Sequence, residues 1–267
     1  VVTPRWYVLV GNTLELNLRA MLAMKLGRAT MLDAIRVKEQ SQGVIYLVPR
    51  DGEGGLRTIT LDRPLFAVHL ANAFEEGSDV VLDVCGFRTF TFGHEFGYRG
   101  PHQPLDPKTP LGQAPQELGR IRMKRESNKA TWQTLSRLSC DFPRVHDVRE
   151  GHRVSAIYVA ARLGTSEPFD SVAKVGLSMT RDEAISESVW RVPANTFVGE
   201  PLFASAARVS SSDTDEGYVL AMLSRPAEGR SELCILNSQS LQDGPIARIR
   251  MPLLPYGFHG TWDGAAF

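Results

Sequence analysis

The chain is dominated by short apolar runs, rich in β-branched residues, that are each about as long as a β-strand. Turn residues such as Asp51-Gly52 and Asp243-Gly244-Pro245 separate many of these runs. Spacing of this kind predicts an all-β protein built from many antiparallel strands. The clearest runs are Trp6–Val10, Gly43–Val48, Asp79–Val84, Val154–Ala160, Gly217–Met222 and Ser231–Leu236.

Two segments depart from this pattern. Leu14–Ile35 is rich in Leu, Met and Ala and shows little alternation, which predicts a helix that Gly27 interrupts. Residues 98–117 hold five prolines and are predicted to form a long surface loop. Because strand-like runs resume afterwards, we interpret this loop as an insertion within one domain. No internal repeat is sharp enough to subdivide the sheet from periodicity alone.

Composition and charge exclude some classes of partner. The chain has 267 residues, 30 basic and 30 acidic side chains, and 43% hydrophobic residues, an ordinary globular composition. No nucleic-acid partner is expected, because phosphate binding needs a basic face. The densest basic cluster is predicted to be a solvated strand face or loop; it comprises Arg120, Arg122, Lys124 and Arg125.

The cysteines and the first residue of the chain give information about the cellular compartment and about processing. Cys85, Cys140 and Cys234 are far apart and form no CxxC pair, so we expect reduced core thiols, as in a cytosolic or organelle-stroma protein. No uncharged apolar run approaches the ~20 residues of a membrane span, and no signal peptide is visible. The first residue is Val1, so we expect a processed chain or a fragment.

The histidines alone do not predict a metal site. Six are present, and none belongs to a close pair such as HxH or HExxH. Local sequence is more informative than spacing. His69 lies in Phe66–Asn72 (FAVHLAN), and His259 lies in Leu254–Trp262 (LPYGFHGTW).

An ordered set of motifs links these two segments. Between them stand Cys140–Val145 (CDFPRV), Gly199–Phe203 (GEPLF), Asp215–Leu220 (DEGYVL) and Gly244–Arg248 (GPIAR). In this order, and starting from Thr3–Tyr7 (TPRWY), the motifs resemble those of the carotenoid cleavage oxygenase family. That family includes plant and bacterial polyene cleavage enzymes and the retinoid isomerase of the eye, and the likeness is greatest to the plant-type enzymes.

The resemblance implies a metal centre. In that family a seven-bladed β-propeller with helical excursions holds iron(II) on its axis through four histidines. His69 and His259 match the third and fourth iron ligands, and Glu200 matches a carboxylate that orients a ligand histidine. Imidazole suits iron(II), and a carboxylate on the other ring nitrogen fixes the tautomer and aims the ring. Asp141 stands where the family usually has glutamate, so we expect its contact with a ligand histidine to be longer or bridged by water.

The resemblance also implies that part of the parent fold lies outside this chain. The family's first two ligand histidines precede the segment that opens it, so residues 1–267 are expected to form the C-terminal part of the propeller domain, about four of seven blades. The implied activity is iron(II)-dependent cleavage of a conjugated double bond of a carotenoid or apocarotenoid by O₂. The alternative is a non-catalytic remnant that lacks two of four ligands and binds at most an apolar ligand or a partner.

Other residues are given narrower expectations. Phe258 is expected to make an apolar contact near the metal and to line the substrate tunnel, and Gly257 and Gly260 are expected to allow close approach of the backbone. Asn72 and Glu75 are expected to be structural. A loose aromatic stripe either lines a polyene tunnel or belongs to the core; it comprises Phe87, Phe90, Phe92, Phe96 and Tyr98. The remaining histidines, His94, His102, His146 and His152, are expected at surface or loop positions.

Partners and compartment follow from the resemblance. The expected partners are the polyene substrate, O₂ and, for substrate access, a peripheral membrane contact without a transmembrane segment. The resemblance is compatible with a plastid or the cytoplasm and does not choose between them.

Overall fold

The computed structural model describes residues 1–12, 14–37, 42–88, 116–164, 169–206 and 215–263. Two short helices, α1 (Leu18–Lys25) and α2 (Met31–Ala34), interrupt a fold made of strands. Short 3₁₀ turns lie at Asp147–Arg149, Pro226–Glu228 and Leu241–Asp243. The strands are β1 (Trp6–Val10), β2 (Leu14–Leu16), β3 (Ile35–Val37), β4 (Gly43–Pro49), β5 (Arg57–Leu61), β6 (Leu70–Glu76), β7 (Asp79–Phe87), β8 (Gln116–Met123), β9 (Lys129–Ser136), β10 (Ser139–Arg144), β11 (Ala156–Arg162), β12 (Ser171–Leu177), β13 (Ala184–Arg191), β14 (Phe197–Val198), β15 (Leu202–Ser205), β16 (Gly217–Arg225), β17 (Arg230–Asn237) and β18 (Pro245–Pro252).

Apart from the short pair β2–β3, the strands form four antiparallel groups that follow one another along the chain. β1, β4 and β5 make the first group, β6 to β9 the second, and β10 to β13 the third. In the fourth group β14 and β15 both pair with β16, followed by β17 and β18. The first two groups share one sheet through a short parallel contact of β5 with β9 at Thr60–Lys129 and Leu61–Ala130. The second and third groups have four antiparallel strands each, as in the blades of a β-propeller, and the predicted fold class is confirmed.

The hydrophobic core lies between successive groups. One apolar cluster joins the first and second groups, a second joins the second and third, and a third joins the third and fourth. The first cluster includes Ile45 and Leu82, the second Cys85 and Ile157, and the third Val172 and Leu223. Because each inner group is covered on both faces, β7 is buried continuously from Val80 to Phe87. This explains why its sequence lacks the alternation of a half-exposed strand.

The segment predicted to be helical is only partly helical. Asn17 begins α1 by accepting a hydrogen bond from the Ala20 N–H, and Gly27 follows the helix with φ +67°. The flanking residues instead form the small antiparallel pair β2–β3. In the proline-rich segment, residues 98–115 lie outside the described residues, and β8 begins at Gln116.

The prediction of a solvated basic cluster is wrong for two of its four residues. Arg120 is 1% exposed and donates to Asp83 Oδ1 and Oδ2 at 2.7 and 2.9 Å. Arg122 donates to Asp182 at 2.6 Å, and Arg120 reaches the same carboxylate at 3.2 Å. Asp182 comes from the turn between β12 and β13, in the third group of strands. One of the acids that neutralise Arg120 and Arg122 therefore belongs to a different group from the arginines, and their distance in sequence hides this contact. Lys124 and Arg125 are exposed, as predicted.

All three cysteines are buried and free, as predicted for core thiols. Burial, together with the neighbouring Cys140 thiol, raises the pKa of Cys85. In the described part of the chain, no helix combines the length and apolar character needed to cross a membrane.

Candidate metal centre

His69 stands at the entrance to β6, on a backbone held from two sides. Asn12 donates from Nδ2 to the Ala67 carbonyl at 2.5 Å and accepts from the Ala67 N–H at 3.0 Å. One residue earlier, Phe66 exchanges two backbone hydrogen bonds with Phe87 at the end of β7. These contacts fix the backbone of the turn before β6, from which the 17% exposed side chain of His69 projects.

His259 is delivered by the segment that follows β18. The Leu254 N–H donates to Ser231 Oγ at 3.0 Å, and the Tyr256 hydroxyl donates to the Val198 carbonyl at 2.9 Å. Burial raises the pKa of Tyr256 to about 12, so the phenol keeps its proton and remains a donor at neutral pH. These contacts fasten the segment to β14 and β17 just before His259.

Close approach of the backbone depends on a different glycine from the one expected. A Cβ on Gly199 would lie 3.2 Å from the Gly257 carbonyl oxygen, whereas a Cβ on Gly257 would meet nothing within 4 Å. The expectation for Gly257 is therefore wrong, because its carbonyl makes the approach and Gly199 provides the space. At Gly260 a Cβ would lie 3.2 Å from a Leu202 methyl carbon, so the close neighbour there is a side chain and not the backbone.

The two predicted ligand histidines converge although 190 positions separate them. Their Nε2 atoms are 3.3 Å apart, and their ring planes meet at 76°. Metal–nitrogen distances of about 2.0–2.1 Å place two neighbouring ligand nitrogens roughly 3–3.4 Å apart. The structure thus brings the pair together at the spacing that one shared metal ion requires.

A carboxylate lies beside the other ring nitrogen of each histidine. Asp141 Oδ1 is 2.9 Å from His69 Nδ1, and Glu200 Oε1 is 3.3 Å from His259 Nδ1. The expectation of a longer or water-bridged aspartate contact is wrong as to distance, although this contact lacks the alignment of a regular hydrogen bond. Glu200 also accepts from the Gly260 N–H through Oε2 at 2.9 Å. Glu200 is therefore placed to accept from a protonated Nδ1 of His259, and Asp141 lies close to Nδ1 of His69 without the geometry of a hydrogen bond.

An irregularity in β10 explains how the shorter aspartate reaches its histidine. The register of β10 with β11 shifts between Asp141 and Arg144, and Phe142 has φ +52°. A bulky residue with positive φ is uncommon and costs of order 1–3 kcal/mol of backbone strain. Pro143 has no N–H to donate, so it fits this interruption of the ladder. A bulge re-aims the side chains beside it, which allows the shorter carboxylate of Asp141 to contact His69.

Phe142 is a site residue that the sequence did not identify. Its ring centroid lies 4.8 Å from that of His69 and 5.6 Å from that of His259. Phe258, as expected, lies beside the pair, 4.5 Å from His259 and 6.0 Å from His69. The only sequence signal for Phe142 was its place next to Asp141 in the CDFPRV motif.

Most of the aromatic residues predicted to line a tunnel cannot be placed. Phe90 and Phe92 of the proposed tunnel lie outside the described residues, as do Phe96 and Tyr98. Phe87 is 5% exposed and pairs edge-on with Phe66, which favours the core interpretation.

Asn72 and Glu75 are structural, as expected. Asn72 binds the backbone of Gly151 and His152, and Glu75 accepts from Thr3 and Arg5. His152 is exposed, and His146 lies half-buried in the loop after β10, against Phe203 at 4.8 Å. His94 and His102 fall outside the described residues.

The donor set fits a metal ion but supplies only part of its coordination. Within the described ranges, no group of three or more His, Cys, Asp or Glu side chains is arranged to hold a metal. The two imidazoles fit neighbouring positions on one ion, and iron(II) accepts such ligands. Their ligand role remains a prediction.

Comparisons with known proteins agree with the motif order. Residues 1–263 match the model of the family described as retinal pigment epithelial membrane protein. The chain is 29% identical to carotenoid cleavage dioxygenase 7, chloroplastic, of Oryza sativa, over 97% of this chain and 47% of the relative. It is 28% identical to apocarotenoid-15,15'-oxygenase of Synechocystis, over 98% of this chain and 50% of the relative.

Solved structures of the same family have a similar fold. A cobalt-substituted apocarotenoid oxygenase of Synechocystis superposes with a TM-score of 0.80 and 25% identity, covering 98% of this chain and 52% of that one. The chain therefore spans about half the length of the curated relatives it matches.

Proposed function

This chain belongs to the retinal pigment epithelial membrane protein family, and from that membership we propose that it is part of an iron(II)-dependent dioxygenase that cleaves a conjugated double bond of a carotenoid or apocarotenoid. Relatives in plants and Synechocystis are named for cleavage or oxygenation of such polyenes. Because the chain spans about half their length, His69 and His259 would supply two of the metal ligands. The others would come from outside the described residues.

The observation that carries the proposal is the paired arrangement of histidines and carboxylates. Two Nε2 atoms 3.3 Å apart face each other, and each Nδ1 lies beside a buried carboxylate. An ordinary buried histidine needs a hydrogen-bond partner, but it does not need a second histidine at ligand spacing. With a proton on each Nδ1, the two Nε2 atoms would be available to one divalent metal ion.

The residues of this chain would bind and orient rather than transfer protons. His69 and His259 donate neutral nitrogen ligands, and Asp141 and Glu200 hold the protons on the opposite ring nitrogens. Bound iron(II) supplies the activation of O₂. The overall reaction adds one oxygen atom to each carbon of the broken double bond and gives two carbonyl products, so no protein general base is needed.

An aromatic wall beside the histidines suits a polyene. Phe142 and Phe258 meet edge-to-face with centroids 5.5 Å apart, and Phe169 lies 5.6 Å behind Phe142. Phe258 is 57% exposed and so offers an apolar surface next to His259. These rings would place an apolar chain near the metal.

A second candidate function rests on the ligand count. The described residues bring only two histidines together, and two imidazoles hold a metal ion less firmly than four. If no further ligands are supplied, the chain is a non-catalytic module that binds an apolar ligand or a partner. Tight metal binding separates the two candidates.

Membrane contact is also proposed, at α1 and its flanks. Six large apolar side chains there are between 48% and 75% exposed: Leu14, Leu16, Leu18, Leu22, Leu26 and Met31. Exposed Arg19, Lys25 and Arg28 lie among them and suit anionic headgroups. Such a patch would give access to lipid-dissolved substrate. The plant relatives are named chloroplastic, and a plastid or the cytoplasm is proposed here.

The function is tested in the longest natural chain that contains these residues. Loaded with iron(II), it should bleach the visible absorption of a carotenoid or apocarotenoid and release two carbonyl products identified by mass. His69→Ala and His259→Ala should each abolish both the bound iron and the cleavage, whereas His152→Ala should change neither. Stoichiometric iron in either of the first two variants would disprove the assignment.

A further inference from the structure

The carboxylate of Glu200 is buried beside a histidine that must stay neutral to bind a metal. Its side chain is 6% exposed, Oε2 accepts from the Gly260 N–H, and Oε1 lies beside His259 Nδ1. A buried carboxylate is costly unless its charge is compensated. Neither the backbone amide nor a neutral imidazole carries a compensating charge.

Arg144 supplies a positive charge at this place. Its Nη1 lies 3.7 Å from Glu200 Oε1, and its Nη2 donates to Asp147 Oδ1 at 3.3 Å. The Arg144 side chain is only 25% exposed, so its attraction to Glu200 is screened less than it would be in water. At 3.7 Å the contact with Glu200 is electrostatic rather than a hydrogen bond.

The same bulged strand reaches both histidines. Asp141 and Arg144 stand at the two ends of the register shift in β10. Asp141 contacts His69 directly, and Arg144 acts on His259 through Glu200. A regular strand would send residues 141 and 144 to opposite faces, because they are three positions apart. The bulge therefore allows one strand to support both members of the pair.

We infer that Arg144 is a positioning residue of the metal centre, which holds the Glu200 carboxylate in place and thereby keeps the His259 ring aimed with a free Nε2. The inference rests on the proposed function, since it concerns affinity for the metal at His69 and His259. The plainer interpretation is that Arg144 makes only a local ion pair with Asp147, three residues away in sequence. The two interpretations differ in what they predict for metal affinity.

The experiment is a calorimetric titration of the full chain with Co²⁺, which measures the affinity for the metal. The double variant His69→Ala/His259→Ala defines the background binding. Arg144→Met should weaken the specific affinity by roughly 3–10-fold, less than the ~10–100-fold typical when the partner of a ligand is itself removed. Arg144→Lys, which restores a positive charge, should recover most of this loss. Asp147→Asn, which frees Arg144 without touching Glu200, should give a smaller loss.

Arg191→Met is the matched control. Arg191 also lies 3.3 Å from a carboxylate, that of Asp170, whose side chain is 6% exposed as well. This variant should leave Co²⁺ affinity unchanged. A second readout is independent of metal: ¹⁵N shifts of the His259 ring should show a proton on Nδ1 in the wild type and a mixture of tautomers in Arg144→Met. Thermal melts verify that each variant is folded.

The outcomes separate the inference from the proposed function. If His259→Ala removes Co²⁺ binding while a folded Arg144→Met binds like the wild type, the inference is wrong and the metal site stands. If the wild type binds no Co²⁺ at these histidines, both are wrong. Loss of affinity in Arg191→Met equal to that in Arg144→Met would also overturn the inference, since any lost ion pair would then have the same effect.

Discussion

Replacing Glu200 by glutamine tests how the metal centre is held, because the change keeps the side-chain shape and removes its charge. Glu200 accepts from the Gly260 N–H at 2.9 Å and lies 3.3 Å from His259 Nδ1. A glutamine has one acceptor oxygen and a donor NH₂ group, so it cannot accept from both partners. Either His259 loses the acceptor that fixes its tautomer, or the backbone that carries it loses an anchor.

The expected loss in Co²⁺ affinity is about 10–100-fold, as found when the carboxylate partner of a ligand histidine is removed. This corresponds to about 1.4–2.7 kcal/mol of binding free energy. Calorimetric titration of the folded variant measures it directly. Glu232→Gln is the control, because Glu232 is a 3% exposed carboxylate with arginine partners Arg225, Arg230 and Arg248. It should lower the unfolding temperature and leave metal affinity unchanged. A folded Glu200→Gln variant with wild-type affinity would refute the reasoning.

Three further predictions concern backbone fit, membrane contact and pH. Gly199→Ala should weaken Co²⁺ binding in a calorimetric titration, because the new Cβ pushes the Gly257 carbonyl and shifts His259, whereas Gly257→Ala should not; equal affinities would contradict this. Leu22→Asp should reduce sedimentation with anionic vesicles without lowering the melting temperature, because Leu22 is 64% exposed; unchanged sedimentation would remove α1 from the membrane surface. Burial acts to raise the pKa of Asp182, but hydrogen bonds from two arginines outweigh it and lower the pKa below its ordinary 3.8. The free energy that ionised Asp182 contributes to folding is therefore fully present above pH 3.8 and is lost as the pH falls through the lowered pKa. In Asp182→Asn the melting temperature should fall less steeply with decreasing pH in this acidic range. An unchanged pH dependence would contradict the assignment.

The elements that were predicted correctly are those with a local signal. The composition of the strand runs, such as Gly43–Val48, and the turn residues between them predict strands, and the structure has strands there. The pair His69 and His259 was identified from motif order, not from spacing, and the structure brings the two rings together. Asp141 and Glu200 were found in the same way.

The features that were missed depend on contacts distant in sequence or on backbone irregularity. Arg120 seemed a surface residue because its acidic partners are distant in sequence: Asp83 lies on the paired strand β7, and Asp182 belongs to another group of strands. Phe142 and Arg144 reach the site only because of the bulge in β10, which no pattern of apolar residues predicts. The role of Gly199 was missed because it makes room for a carbonyl group that is distant in sequence, that of Gly257. The neighbouring contact of Tyr256 with Val198 spans 58 positions.

The most direct test of the central claim is the location of bound metal in a crystal grown with Co²⁺. The account predicts one anomalous-scattering peak between the rings, about 2.0–2.1 Å from Nε2 of both His69 and His259. A structure at saturating Co²⁺ without metal at that point, or with the two imidazoles turned away from each other, would contradict it.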